Sequence, residues 1–180
     1  MDLSLKDKVV LITGGSKGIG LACARVFLEE GANVAIASRQ KDHLERGAAD
    51  LSNVGRVELF QADLSLKKDA YSLAERVEKS LGDIDILVNS AGAAKMHQPE
   101  DLDSEAWHEG MKAKYFTGVH AMDAVLPRMK SRETGAIVNI IGTGGKVPTP
   151  THVAGGAANA GLMVATVGLA NAYGKHNIRI

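Results

Sequence analysis

Runs of aliphatic and β-branched residues recur along this chain, and each is followed by a longer segment of helical period. KVVLIT, NVAIA, RVELFQ, DILVN and AIVNII read as strands. Their near-continuous apolar character marks strands buried on both faces, which is the condition of a parallel sheet covered by helices. Between them, Ile19, Ala22, Cys23, Val26 and Phe27 share one helical face, and Ala70, Leu73, Ala74, Val77 and Leu81 share another. Gly31 and Gly82 follow these helices where a residue in the left-handed region ends the last turn. A long helix is expected from about Asp103 to Met129, with Trp107, Met111, Tyr115, Gly118 and Met122 near one stripe. The last helix begins near Ala154 and carries Ala158, Leu162, Ala165, Leu169 and Ala172 inward. Right-handed crossovers then leave a doubly wound parallel sheet, three layers α/β/α, as the fold class. HNIRI reads as the opening of a sixth strand in which the chain stops, so residues 1–180 are expected to be one domain lacking the C-terminal strands and substrate loop of a longer protein.

Composition narrows the classes of function. With 180 residues, 45% of them hydrophobic, the chain can bury one substantial core. Net charge is zero and no basic run occurs, so no nucleic-acid partner is expected. No apolar run is read as long enough to span a membrane, the N-terminus MDLSLKDK lacks the pattern of a signal peptide, and Cys23 stands alone; a cytoplasmic location with no membrane association is expected. His97, His108, His120 and His176 show no metal spacing, and no metal is expected.

VVLITGGSKGIGLACA sets Gly14, Gly15, Gly18 and Gly20 between a buried strand and a helix start. Glycines there let the backbone approach a pyrophosphate, and the first N–H groups of the helix supply an anion site. The spacing T-G-x-x-x-G-x-G resembles that of the short-chain dehydrogenase/reductase family. Further matches are Asp63 with Leu64 after the third strand, NSAG at Asn89 to Gly92, AVLPRM and GAIVNI. The resemblance implies a dinucleotide held by Gly14, Ser16, Lys17, Gly18, Ile19 and Gly20 in the loop, by Asp63 and Leu64 at the adenine, and by Asn89, Ala91 and Gly92.

The choice of dinucleotide is read from charge. A Rossmann fold that binds NAD places an acid at the end of the second strand, roughly 20 residues past the glycine loop, to accept the ribose 2′-hydroxyl. Here the window reads ASRQK: Ser38 and Arg39 stand where the acid would be, with Lys17 in the loop. An Arg and a Lys suit a 2′-phosphate, so NADP is the expected cofactor. Asp42 comes too late, inside the next helix.

In the family a Tyr exchanges the proton of the substrate, a Lys four residues later lowers the Tyr pKa and binds ribose, a Ser lies upstream and an Asn sits on the long helix. Aligned to that pattern, Gly155 stands at the Tyr, Asn159 at the Lys, Gly142 at the Ser and Lys114 at the Asn. All four differ. Asn159 retains the ability to hydrogen-bond a ribose hydroxyl, while Gly142 and Gly155 offer backbone alone. The substitutes at hand are Lys114, His152 and Thr143, with Tyr115 beside Lys114. The expected function is an NADP(H)-dependent oxidoreductase acting on a small carbonyl or alcohol substrate through an altered active site. The alternative is a catalytically inactive NADP-binding or regulatory protein on the same fold. The resemblance further implies a homodimer or homotetramer through the two long helices, for which the small residues Gly118, Gly161 and Gly168 permit close packing.

Overall fold

The computed structural model describes residues 3–180. Six parallel strands, β1 (Val9–Thr13), β2 (Asn33–Ser38), β3 (Val57–Gln61), β4 (Ile86–Asn89), β5 (Gly135–Asn139) and β6 (Ile178–Arg179), form one sheet in the order β3-β2-β1-β4-β5-β6. The order reverses between β1 and β4, which makes their carboxyl ends the topological switch point. Register brings Ala37, Thr13, Asn89 and Asn139 level across four strands at that end. Each expected strand is present within a residue or two, because a strand buried on both sides has no polar face to blur its pattern.

Alternation along β1 divides the core. Val9 and Leu11 join Ala35, Leu87 and Ile137 beneath α3 (Lys67–Leu81), α5 (Thr117–Arg132) and α6 (Val153–Tyr173). Val10 and Ile12 join Val34, Ile36 and Val88 beneath α1 (Gly18–Glu29) and α2 (Lys41–Leu51). The second face is covered less completely, and Val138 of β5 is 48% exposed.

Three expectations need correction. On α1, Cys23 and Phe27 pack partly buried against the core as expected, but the fully buried residues are Gly20 and Ala24, and Ile19, Ala22 and Val26 are exposed. Gly20 decides this: a Cβ there would overlap the Gly14 carbonyl, so the helix is pressed onto the loop along its glycine edge rather than its bulky one. In α6, Ala158 and Leu162 are buried but Ala172 is exposed. That helix, extended to His176, is also long and apolar enough to cross a membrane, with mean hydropathy 1.5. Its Ala- and Gly-rich composition conceals the length of the uncharged run in a reading based on bulky residues. Its first turns are nonetheless packed into the fold through Ala154, Gly155, Gly156, Ala158, Asn159 and Leu162.

The long helix is three pieces. α4 (Ser104–Gly110) is capped by Asp103, whose carboxylate accepts the Ala106 N–H at 2.8 Å. A single π-helical turn, Met111–Phe116, follows, and α5 continues to Arg132. Wider hydrogen bonding in such a turn leaves carbonyls poorly matched. Here the Thr117 hydroxyl lies 3.1 Å from the Lys112 carbonyl and 3.0 Å from that of Ala113, and donates to this pair. Gly118 packs on Leu162 and Gly161 on Tyr115, so two of the three small residues expected between subunits instead seat α5 and the π turn on α6 within the chain. Gly168 has no neighbour.

Candidate active site

The carboxyl ends of β1 to β5 surround a cleft of about 550 Å³ at the switch point. Its floor is the turn after β1. Gly14 adopts a φ of +66°, and a Cβ there would stand 2.8 Å from the backbone of Ala91, so the loops after β1 and β4 touch only because this residue is glycine. Thr13 ties the same two loops: its hydroxyl accepts the Ser90 and Ala91 N–H groups at 3.2 and 3.3 Å. No side chain caps α1, whose N-cap is Lys17, and its first N–H groups remain free at the loop.

Of the residues expected at a dinucleotide, Gly14, Ser16, Lys17, Ile19, Ser38, Arg39, Asp63, Leu64, Ala91 and Gly92 line this cleft. Gly18, Gly20, Asn89 and Asn159 do not. Gly20 serves the packing of α1, and Asn89 is buried beneath the floor. Asp63 accepts the Ser65 N–H at 3.0 Å, and the ring of His120 on α5 meets the Leu64 carbonyl at 3.0 Å, fixing the turn after β3. Gln40, His43, Ser65, Ser90, Ala93, Ala113, Thr117, Ile140 and Ile141 also line the cleft and were not found from sequence. For His43 a signal exists: it is the third residue of α2, one position beyond Asp42 after the basic window.

The charge of the lining is one-sided. Among the described residues of the lining, Lys17, Arg39 and Lys114 face a single carboxylate, Asp63, in a chain whose net charge is zero. Asp42, the acid nearest Arg39, is not on the lining; its side chain pairs with Arg46, whose hydrogen bond holds the carboxyl below its usual range.

Beyond the floor lie Lys114, Gly142, Gly155 and Asn159, the four positions that the resemblance aligns with the family's Asn, Ser, Tyr and Lys. Lys114 comes from the π turn and lines the cleft. Its approach depends on Gly92, with φ +119°, where a Cβ would sit 2.6 Å from the Ala113 carbonyl. Lys114 Nζ donates to Asn159 Oδ1 at 3.2 Å, and the Gly142 N–H donates to the same oxygen at 3.3 Å. Burial holds the Lys114 ammonium below the ordinary lysine range. His152 and Thr143 do not line the cleft. Thr143 is exposed and opens a short 3-10 turn, Thr143–Gly145. The His152 ring lies against Gly155, so that a Cβ on Gly155 would overlap its Cε1 and Nε2. A Cβ on Gly142 would stand 2.9 Å from Asn159 Nδ2. Tyr115 is half-buried and stacks edge-on with Phe116, ring centroids 5.3 Å apart. Among the described residues no cluster of His, Cys, Asp and Glu is arranged to hold a metal.

A sheet in this order with a glycine-floored cleft at its switch point defines a doubly wound, Rossmann-like protein. Residues 8–180 match the short chain dehydrogenase family, and the chain belongs to it. It is 39% identical over 153 residues to the uncharacterized oxidoreductase YvrD of Bacillus subtilis (strain 168), a match covering 85% of this chain and 58% of that protein. The L-sorbose reductase of Gluconobacter frateurii, solved with NADPH and L-sorbose, superposes with a TM-score of 0.92 at 32% identity, over 99% of this chain and 69% of that one. An NADPH-bound short chain oxidoreductase of Pseudomonas aeruginosa PAO1, described as containing an atypical catalytic center, gives 0.91 at 32% identity, over 97% and 69%. The chain therefore spans 58% to 69% of the length of these relatives.

The lysine makes a testable statement about stability. Because burial disfavours its charged form, the unfolded chain binds this proton more tightly than the folded one. The resulting cost to folding is fully present below the folded pKa and fades as pH rises from there toward the ordinary value of 10.5. Lys114→Met should thus melt at a higher temperature than the parent at neutral pH, with the gain shrinking as the pH approaches about 10. Thermal melts across that range check it, and a gain that grows with pH would contradict the sign.

Proposed function

We propose that this chain forms the cofactor-binding and catalytic part of an NADP(H)-dependent oxidoreductase that acts on a small carbonyl or alcohol substrate with a non-standard proton donor. The observation that carries the reading is the make-up of the cleft: an anion-receptive glycine floor, Arg39 and Lys17 near the end of β2, and a half-buried lysine near Gly92 and Gly142. The residues fit a dinucleotide. Gly14 leaves room that a side chain would fill, the uncapped start of α1 suits a pyrophosphate, and Arg39 and Lys17, with His43 beside them, suit a 2′-phosphate. Two solved relatives hold NADPH, and one of them has an atypical catalytic center, which supports the same reading here.

When bound, the nicotinamide supplies or takes up the hydride. The chain's own task is to orient the substrate and move one proton. Gly142 and Gly155 have no side chain for this, and Thr143 and His152 do not line the cleft, whereas Lys114 reaches it with one N–H held by Asn159 and two further N–H groups to offer a proton. In the reductive direction Lys114 donates that proton to the substrate oxygen. The rate should then fall as pH rises through its folded pKa, which lies below 10.5.

The test is NADPH oxidation over a panel of carbonyl compounds, with NADPH binding measured beside it. Binding to the parent with no turnover on any compound would replace this reading with a regulatory or binding role. Lys114→Met should lower turnover by about 10²- to 10⁴-fold while NADPH still binds, and His152→Ala should change it little. The reverse ranking would transfer the proton step to His152.

Cofactor preference follows from Arg39 and Lys17. NADPH should bind at least about 10-fold more tightly than NADH, as one or two charge-assisted hydrogen bonds allow. Arg39→Ala should weaken NADPH and spare NADH in calorimetric titrations; equal losses would reject the assignment.

The same reading includes self-association. From Val153 to Gly174 helix α6 carries no charged side chain, and its Val164 and Val167 are 74% and 61% exposed. An uncharged helix with so much open apolar surface favours a partner, here a second copy of the chain. Light scattering should return a dimer or tetramer for the parent and a lower mass for Val164→Lys combined with Val167→Lys. A monomeric parent would remove this element.

A further inference from the structure

We infer that Asn159 is a positioning residue, which aims the Lys114 ammonium along the cleft wall by holding it with an uncharged acceptor. The inference rests on the assignment of the proton step to Lys114, and it gives Asn159 a task other than contact with a ribose. Asn159 is 3% exposed and does not line the cleft, so its side chain faces the protein rather than a ligand.

The orientation of its amide is fixed by its partners. Lys114 Nζ and the Gly142 N–H are both donors, and only an oxygen can accept from both. Gly142 belongs to the backbone that leaves β5, so one of the two donors cannot move independently of the sheet. The amide nitrogen lies against Gly142, where a side chain would crowd it, and within ordinary contact of Gly144. Asn159 therefore links three segments, α6, the turn after β5 and the π turn, at a single oxygen. A lysine side chain has four rotatable bonds, and a hydrogen bond at its tip is what selects one direction among many.

An amide also differs from a carboxylate in what it leaves undone. A carboxylate here would pair with the ammonium and hold it charged; an amide gives direction without a counter-charge. The titratable groups on surrounding elements do not supply one. Glu109 on α4 is paired with Lys95 from the segment after β4 at 3.1 Å. His97 on that segment, Lys112 and Tyr115 on the π turn, Lys146 after β5 and His152 at the start of α6 form no described hydrogen bond or ion pair with Lys114, and neither does Asp63 on the cleft lining. Burial is the cause of the lowered lysine pKa, with no opposing charge acting on it.

The experiment reads the titration of Lys114 directly, in the ligand-free protein. Lysines are reductively ¹³C-methylated, and the Lys114 resonance is assigned by its loss in Lys114→Arg. The near-isosteric Asn159→Asp should move that titration up by about one pH unit or more, as a carboxylate at this distance does. Asn159→Ser, which shortens the acceptor, should move it down and broaden the resonance. If turnover is present, the falling limb of the pH profile should shift upward in Asn159→Asp, and kcat rather than KM should drop in Asn159→Ser. A Lys114 titration unmoved in a folded Asn159→Asp overturns the inference, whichever way turnover behaves. A moved titration in a protein whose turnover ignores Lys114 sustains the positioning and instead rejects the proton step. Should Asn159→Asp fail to fold, the titration of Asn159→Ser decides alone: unmoved, it overturns the inference.

Discussion

Three strands and a helix meet at one buried amide. Asn89, at the end of β4, donates to Asn139 of β5 at 2.9 Å and to the Gly118 carbonyl of α5 at 3.3 Å, and accepts from the Thr13 hydroxyl of β1 at 3.3 Å. It is 4% exposed, so water cannot replace any of these partners, and each group left unpaired there would cost about 1–3 kcal/mol. The cost enforces register: the ends of β1, β4 and β5 are level because their polar side chains satisfy one another. Thr13 carries the constraint on to the loop after β4, and Gly118 carries it to α5 directly below the π turn. The floor and the far wall of the cleft are in this way referred to a common point inside the protein rather than to each other across solvent.

Much of the fold could be read from sequence because parallel strands advertise themselves by unbroken apolar runs and their helices by period. The failures have a common physical origin. Side-chain bulk predicts only part of the α1 face, Cys23 and Phe27, while the contact that orients this helix is made by Gly20, which has no side chain at all. The small residues of α5 and α6 were read as places where another subunit approaches, and two of them instead admit Leu162 and Tyr115 of the same chain. Absence of a side chain is visible in a sequence, but what fills the vacated space is a tertiary fact. The π turn is equally silent, since Met-Lys-Ala-Lys-Tyr-Phe satisfies helical periodicity in either register and the deciding interaction is the Thr117 hydroxyl.

For the site, the loop and the basic window lay within local sequence and could be found there. The partnership of Lys114 with Asn159 could not, because the two positions are 45 residues apart and neither is unusual alone. The resemblance leads each to be expected as a departure, and the structure makes them a pair. His152 shows the reverse: as a histidine near the start of the last helix it looked available for proton transfer, and the structure turns its ring onto Gly155 and off the cleft lining.

That placement of His152, with the crowding of Gly142 by Asn159, bears on which substitution routes are open to this protein. Each glycine is matched to a neighbour that occupies the volume a side chain would need, so the four positions are interlocked in twos. A single exchange at 155 meets the imidazole and a single exchange at 142 meets the amide, and each is impeded before any chemistry can be gained. A side chain introduced at 155 therefore requires the His152 ring to shift or be exchanged, and one at 142 requires the same of the Asn159 amide. Neither glycine is thus independent of its partner: the volume at 155 is shared with the imidazole and the volume at 142 with the amide.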